Sequence, residues 1–156
     1  EEVFSLTNKK AHNLKFKSYV AKIPIIDERI ILGGNRLFFL EPLEATAIEA
    51  HSFWARRTFD WVINGITTPF LVTQEILKYI HQIQNFIIWH YTYGSIYNTP
   101  FWNISRELKV EDPEFDRILE LSKKFSMIDL LDNNERYGQW NGWNFKCWYN
   151  GMTCKL

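Results

Sequence analysis

Apolar residues return at the three-and-four spacing of an α-helix over two long stretches of this chain. Between residue 46 and about residue 64, Ile48, Trp54, Trp61 and Val62 recur on roughly that period, while Glu49, Arg56, Arg57 and Asp60 supply the solvated faces. Asn64-Gly65 closes the stretch, because glycine just past a helix end takes the turn that stops it. After Pro69, residues 71 to about 93 carry a broader apolar stripe of Ile76, Leu77, Ile80, Ile83, Ile87 and Ile88. The short connection predicts that these two helices are antiparallel neighbours. Two more helix starts are written locally. Thr99-Pro100 puts proline in a first turn, where its missing N–H is not needed. Asp112-Pro113-Glu114 combines a cap, a proline and an acidic first turn; Phe115, Ile118, Leu119 and Leu121 follow as a core face, and Lys123 and Lys124 complement the far end of the dipole.

The first third alternates instead. Residues 14–20, Leu-Lys-Phe-Lys-Ser-Tyr-Val, have the period of a half-buried strand, and Arg29-Ile30-Ile31-Leu32 is short, β-branched and apolar, which predicts a buried strand. Ile23-Pro24-Ile25-Ile26 with Asp27-Glu28 is expected to be the connection between them, and the two strands to form one sheet edge. Residues 1–13 carry little signal beyond a turn at Thr7-Asn8-Lys9-Lys10. Gly33-Gly34 ends the second strand where the backbone must turn or lie close to a ligand, and Asn35 offers a short hydrogen-bonding side chain beside it. Pro42 holds Glu41 extended, so residues 40–44 are expected to be loop, with a helix beginning just after. Thr46-Ala47-Ile48-Glu49 has capping-box spacing, in which the Thr46 hydroxyl accepts from the Glu49 amide and the Glu49 carboxylate returns to Thr46. Amides in such a first turn have no intrahelical acceptor and favour a small anion.

Composition narrows the partners. Eighteen basic and 18 acidic residues give formal neutrality without a block of one sign, which argues against a nucleic-acid partner. No apolar run is long enough to span a bilayer and no signal peptide is present, so neither a membrane partner nor export is expected and a cytoplasmic setting is the default. Cys147 and Cys154 have no histidine at zinc-like spacing, so no metal is expected; they read as reduced packing thiols, with a disulfide between them as the alternative. Aromatic residues make up 17% of the chain, including seven Trp, and they crowd between residues 137 and 152 as Trp140, Trp143, Phe145, Trp148 and Tyr149 around Gly138, Gly142 and Gly151. Most are expected in the core, although flat side chains also build slots for an arene.

The run Ile31-Leu32-Gly33-Gly34-Asn35-Arg36-Leu37-Phe38-Phe39-Leu40-Glu41-Pro42-Leu43-Glu44-Ala45-Thr46-Ala47-Ile48 resembles the flavin-proximal signature of the flavin-dependent (tryptophan) halogenases. There a strand ending in glycine runs through an apolar loop into Glu-Pro-Leu-Glu-Ser/Ala-Thr, and the likeness in residues 40–46 is close. A second block, Asn85-Phe86-Ile87-Ile88-Trp89-His90-Tyr91 followed by Asn98-Thr99-Pro100-Phe101-Trp102, is similar to a further stretch of the same family. The resemblance implies that Gly34, Asn35, Leu43 and Ile48 contact reduced FAD, and that a halide sits against the amides of Thr46 and Ala47. Glu44 would be the catalytic carboxylate beside the substrate pocket, where it positions hypohalous acid and takes the proton lost from the arene. Burial tuning its pKa toward neutrality would suit that task. The aromatic tail would close over an aromatic, tryptophan- or indole-like substrate, and a separate flavin reductase would supply the cofactor. His90 reads as a hydrogen-bonded core residue.

The expected architecture is a mainly α fragment with a short β edge. Residues 1–45 would end a flavin-binding, monooxygenase-like α/β domain, and residues 46–156 would form a helical substrate-side domain. No GxGxxG occurs, nor the family's Trp-x-Trp-x-Ile-Pro motif or its lysine, so the chain reads as the later portion of a longer halogenase and is expected to be inactive by itself. Two alternatives stand beside this reading: a flavin monooxygenase that hydroxylates without halide, and a non-catalytic, aromatic-rich helical interaction module.

Overall fold

The computed structural model describes residues 17–41, 45–131 and 134–153. Helices α1 (Thr46–Val62) and α2 (Pro69–Tyr93) are the predicted pair. Gly65 stops the first at φ 63°, and the Ile66 amide reaches back to the Asp60 carbonyl at 3.0 Å. Extended Thr68 caps the second, its hydroxyl accepting from the Leu71 amide at 3.3 Å with Pro69 in the first turn. The helices run antiparallel: Phe53 stacks on Tyr79 at 4.4 Å, and one turn along each helix Arg57 holds Glu75 through two bonds of 2.6 and 2.8 Å.

Burial departs from the predicted stripe on α1. Thr46, Ala50 and Trp54 are buried, whereas Ile48 is 70% exposed and Val62 55%. The i, i+4, i+8 row is the one that faces the neighbouring elements, and Ile48 falls outside it. On α2 the apolar face is broader than a surface helix needs: Val72, Ile76, Ile80, Ile83, Phe86, Ile87 and Trp89 are all buried, because α1 covers one flank and the C-terminal helices cover another.

Those C-terminal helices are α3 (Pro100–Ser105), α4 (Pro113–Lys124), α5 (Met127–Leu131) and α6 (Gly142–Thr153). Thr99 and Asp112 cap α3 and α4 as their sequences predict, the Asp112 carboxylate accepting from the Glu114 and Phe115 amides. Aromatic rings join these elements to α2. Phe86 stacks on Trp140 at 3.7 Å, Trp89 lies over Phe145 at 5.3 Å, and Phe115 meets Phe145 edge to face at 5.2 Å. Such pairs add about 0.5–1.5 kcal/mol each beyond the area they bury.

The strands differ from their expectation. Among the described residues they form three separate antiparallel pairs of two residues per strand: β1 (Tyr19–Val20) with β4 (Phe38–Phe39), β2 (Ile25–Ile26) with β3 (Ile30–Ile31), and β5 (Arg136–Tyr137) with β6 (Trp140–Asn141). The strand predicted at residues 29–32 is therefore two residues long, and it is exposed, Ile30 by 57% and Ile31 by 39%. Its partner is the segment read as a connection, not the strand at residues 14–20, of which the described part ends at Val20 against Phe38. The cause is a tight mirror-image turn. Asp27 and Glu28 both adopt left-handed φ, 48° and 52°, and the Arg29 amide closes onto the Ile26 carbonyl at 3.0 Å, so the chain doubles back at once. The architecture is mainly helical with short strand pairs.

Candidate functional site

The glycine turn is built as an open corner. Gly33 is extended, Gly34 turns at φ 53°, and residues Gly34–Arg36 make a single 3-10 turn closed by Leu37 N–H onto the Gly34 carbonyl at 3.0 Å. A Cβ placed on either glycine would meet nothing within 4 Å, and Asn35 is exposed. Both flanks of this corner are fastened to α1. Before it, the Leu32 carbonyl accepts the Trp54 indole N–H at 2.8 Å; after it, buried Phe38 stacks on His51 at 4.3 Å. Burial lowers the pKa of His51. The corner is thus held over the N-terminal half of α1 while its own backbone stays open.

The chain then leads through buried Leu40 to half-buried Glu41, whose carboxylate accepts a hydrogen bond from the Tyr91 hydroxyl on α2. Burial, followed by this carboxylate, pushes the Tyr91 pKa up to about 12. Pro42, Leu43 and Glu44 lie outside the described residues, and with them the predicted catalytic carboxylate and one predicted flavin contact.

At the start of α1 the predicted capping box is replaced by a different arrangement. The cap is Ala45, in the left-handed region at φ 55° and ψ 22°, and no side chain caps the helix. Thr46 is the first helical residue, so its hydroxyl is one position too far into the helix to accept from the Glu49 amide. That hydroxyl is buried and has no hydrogen-bond partner among the described residues, while Glu49 turns outward to Arg56 at 3.3 Å. Ala47 is half-buried beside it. The result, among the described residues, is a helix N-terminus with no side-chain cap and an unsatisfied buried hydroxyl, two residues before the exposed Ile48.

A cavity of about 350 Å³ lies on the other side of Tyr91, lined by His90, Tyr91, Gly94, Trp102, Trp148 and Met152. Of the aromatic tail, only Trp148 lines it. Trp140 and Phe145 are core, 4% and 0% exposed, because the β5–β6 hairpin and α6 lay them against Phe86. Tyr149 instead carries the Lys123 ammonium 5.5 Å from its ring centre. Tyr91 and Trp102 were not singled out as wall residues from sequence, although both belong to the His-Tyr and Pro-Phe-Trp block that was.

His90 is half of what its sequence context predicts. Its Nδ1 lies 2.7 Å from the Phe86 carbonyl oxygen, which only accepts, so Nδ1 carries the hydrogen. Its Nε2 is buried with no partner among the described residues. Burial lowers the pKa of the ring, with the Phe86 carbonyl opposing, so the imidazole is neutral at physiological pH.

A separate polar cluster is structural. The Tyr137 hydroxyl donates to Asp112 at 2.6 Å and accepts from Asn85 at 2.7 Å, joining β5 and the cap of α4 to α2. Among the described residues no group of three or more His, Cys, Asp or Glu side chains is arranged to hold a metal ion, and no helix is long and apolar enough to cross a membrane.

Comparison with known protein families gives a match over residues 5–153 to the family described as tryptophan halogenase. No curated protein and no solved structure matches the chain.

Proposed function

The chain belongs to the tryptophan halogenase family, and from that premise we propose that it forms the halide and flavin-facing side of a halogenase that uses reduced flavin, halide and oxygen on an aromatic substrate. The observation that carries this reading is the start of α1. A 17-residue helix begins there without a side-chain cap, and the buried Thr46 hydroxyl beside its amides has no partner among the described residues. Unpaired buried donors are costly, and a small anion against the Thr46 and Ala47 amides would satisfy both the hydroxyl and the dipole.

The residues also fit a flavin. Gly33 and Gly34 leave open space at a fastened corner, Asn35 is free to hydrogen bond, and Ile48 offers an exposed apolar side chain in the first turn of α1. Reduced flavin, when bound, would supply the oxygen activation and halide oxidation that side chains do not perform. The chain's part is to bind the anion, orient the ring and exclude water. Glu44, three residues after the Glu41 carboxylate that accepts from Tyr91, would hold the oxidised halogen and accept the proton released from the arene. In this proposal residues 1–45, with Gly34, Asn35 and Leu43, serve the cofactor together with Ile48, and residues 46–156 otherwise serve halide and substrate, with a flavin reductase acting in trans in the cytoplasm.

Crystals soaked in bromide test the reading. An anomalous peak is expected within hydrogen-bonding distance of the Thr46 and Ala47 amides. An ordered helix start with no peak there would remove the halide role, and turnover that proceeds equally without chloride or bromide would point to a hydroxylase instead.

A further inference from the structure

Between the end of α2 and the start of α4 the chain presents apolar side chains to solvent on a framework that is held in place. Ile96 is 92% exposed, and Tyr93, Tyr97, Phe101, Ile104 and Leu108 are exposed with it. Phe101, Ile104 and Leu108 follow one another at the spacing of a single helical face, carried just past the end of α3. The loop before them is fastened by one side chain. The Arg106 guanidinium donates to the Ser95 and Tyr97 carbonyls at 2.8 and 2.7 Å, and to the Asn103 and Asn98 side-chain oxygens at 2.9 and 3.4 Å. A planar fork with this many acceptors sets the shape of the loop in advance, so little ordering is left for a binding event to impose.

Arg106 also lines a groove of about 360 Å³, with buried Trp89 and Phe115 for its floor and Val110 and Leu119 beside them. Tyr93 and Leu108 belong both to the groove wall and to the exposed apolar surface, so the protruding and the hollow parts of this face are continuous. Two exposed charges of opposite sign complete the wall: Lys109, on the connection from α3 to α4, and Asp116, in the first turn of α4. Neither side chain has an ion-pair or hydrogen-bond partner among the described residues, and no ion pair joins the two.

We propose that this face pairs with a second copy of the chain about a two-fold axis, the Ile96–Tyr97 loop of each copy entering the groove of the other while Lys109 of each meets Asp116 of the other. A two-fold interface must be self-complementary, since whatever one copy offers the other must receive. This face offers an apolar protrusion beside an apolar groove, and an unpaired cation beside an unpaired anion. The formal net charge of zero leaves no overall repulsion between copies. The inference does not rest on the halide reading, and its test needs neither flavin nor halide.

Sedimentation equilibrium of the chain over about a hundredfold range of concentration is expected to show a monomer–dimer equilibrium. Lys109→Glu sets Glu against Asp116 of the other copy, and Asp116→Lys sets Lys against Lys109, so each variant by itself should dimerise about tenfold more weakly. An equal mixture of the two variants restores both oppositely charged contacts and should dimerise as tightly as the parent. Glu28→Lys has the same net charge as Asp116→Lys but lies on the turn between β2 and β3, so mixing it with Lys109→Glu should not restore the parent strength. Ile96→Asp should abolish the dimer and leave the urea midpoint of the monomer unchanged. A parent that stays monomeric throughout, a dimer indifferent to either charge reversal, or a mixture no tighter than its separate components would each overturn the proposal, as would full restoration by Glu28→Lys. Should Asp116→Lys fail to fold, an unweakened dimer in Lys109→Glu or Ile96→Asp overturns it. Binding of a different protein by a monomeric chain would count against it equally.

Discussion

Thr46 separates stability from function at a single oxygen. Its hydroxyl is buried without a partner among the described residues, so in the absence of an anion it costs the folded state the desolvation of a polar group, about 1–3 kcal/mol. Thr46→Val keeps the shape and deletes the hydroxyl. The variant is expected to unfold at the same or higher urea concentration than the parent, by up to about 1 kcal/mol, while losing affinity for bromide. A variant that is clearly less stable would mean that the hydroxyl is satisfied in the free protein, and the anion argument would lose its footing. The sequence singled out Thr46 both for a capping box and for an anion, and the capping task is the one the structure removes. A threonine followed three residues later by glutamate is the pattern of a capping box, and nothing in the pattern reveals that Ala45 takes left-handed backbone angles and the cap position. Glu41 was equally hard to interpret, because its partner Tyr91 is 50 residues away and on another element.

At the scale of elements, starts of helices were the most legible feature. Thr68-Pro69, Thr99-Pro100 and Asp112-Pro113 each join a side-chain acceptor to a proline with preset φ, so the information is contained in two adjacent residues. The strand pairs were not legible, since a two-residue strand has no periodicity and its register follows from a turn whose left-handed Asp27 and Glu28 contradict ordinary preference. Asp112 shows what a cap gains from tertiary structure. It caps α4 with one oxygen and accepts from Tyr137 with the other. Burial raises its pKa, but the Tyr137 hydroxyl and the two amides together outweigh that and hold the carboxyl below its ordinary value of 3.8. Its stabilisation is thus fully present above pH 3.8 and is lost as pH falls through the lower folded-state value. Asp112→Ala is expected to cost about 2–3 kcal/mol by urea denaturation, the cap plus a stranded Tyr137 hydroxyl, and Asp112→Asn less than half of that. Equal losses for the two substitutions would show that charge, not hydrogen bonding, is what Asp112 contributes.

For the whole molecule, aromatic richness was visible in composition, but its division between core and cavity was not. Phe86 gathers Trp140, Phe145 and Trp148 around it, and which of those rings is left with a free face depends on how α6 lies against α2. Ring packing half-buries two imidazoles: His51 against Phe38, and His90 between Phe86 and Trp148. Burial holds both below the ordinary imidazole value of 6.5, which the unfolded chain recovers. Below that pH the unfolded state takes up protons that the folded state still refuses, so stability must fall as pH drops from 6.5 toward the folded-state values, and level off beneath them. This window is separate from that of Asp112, which lies below pH 3.8. Urea midpoints measured from about pH 7.5 to about pH 5 should therefore decline on the acidic side, and His90→Phe should flatten part of the slope while leaving the His51 share. A midpoint constant across that range in the parent protein would mean that both rings protonate in place, and would require the aromatic packing around them to open without unfolding the chain.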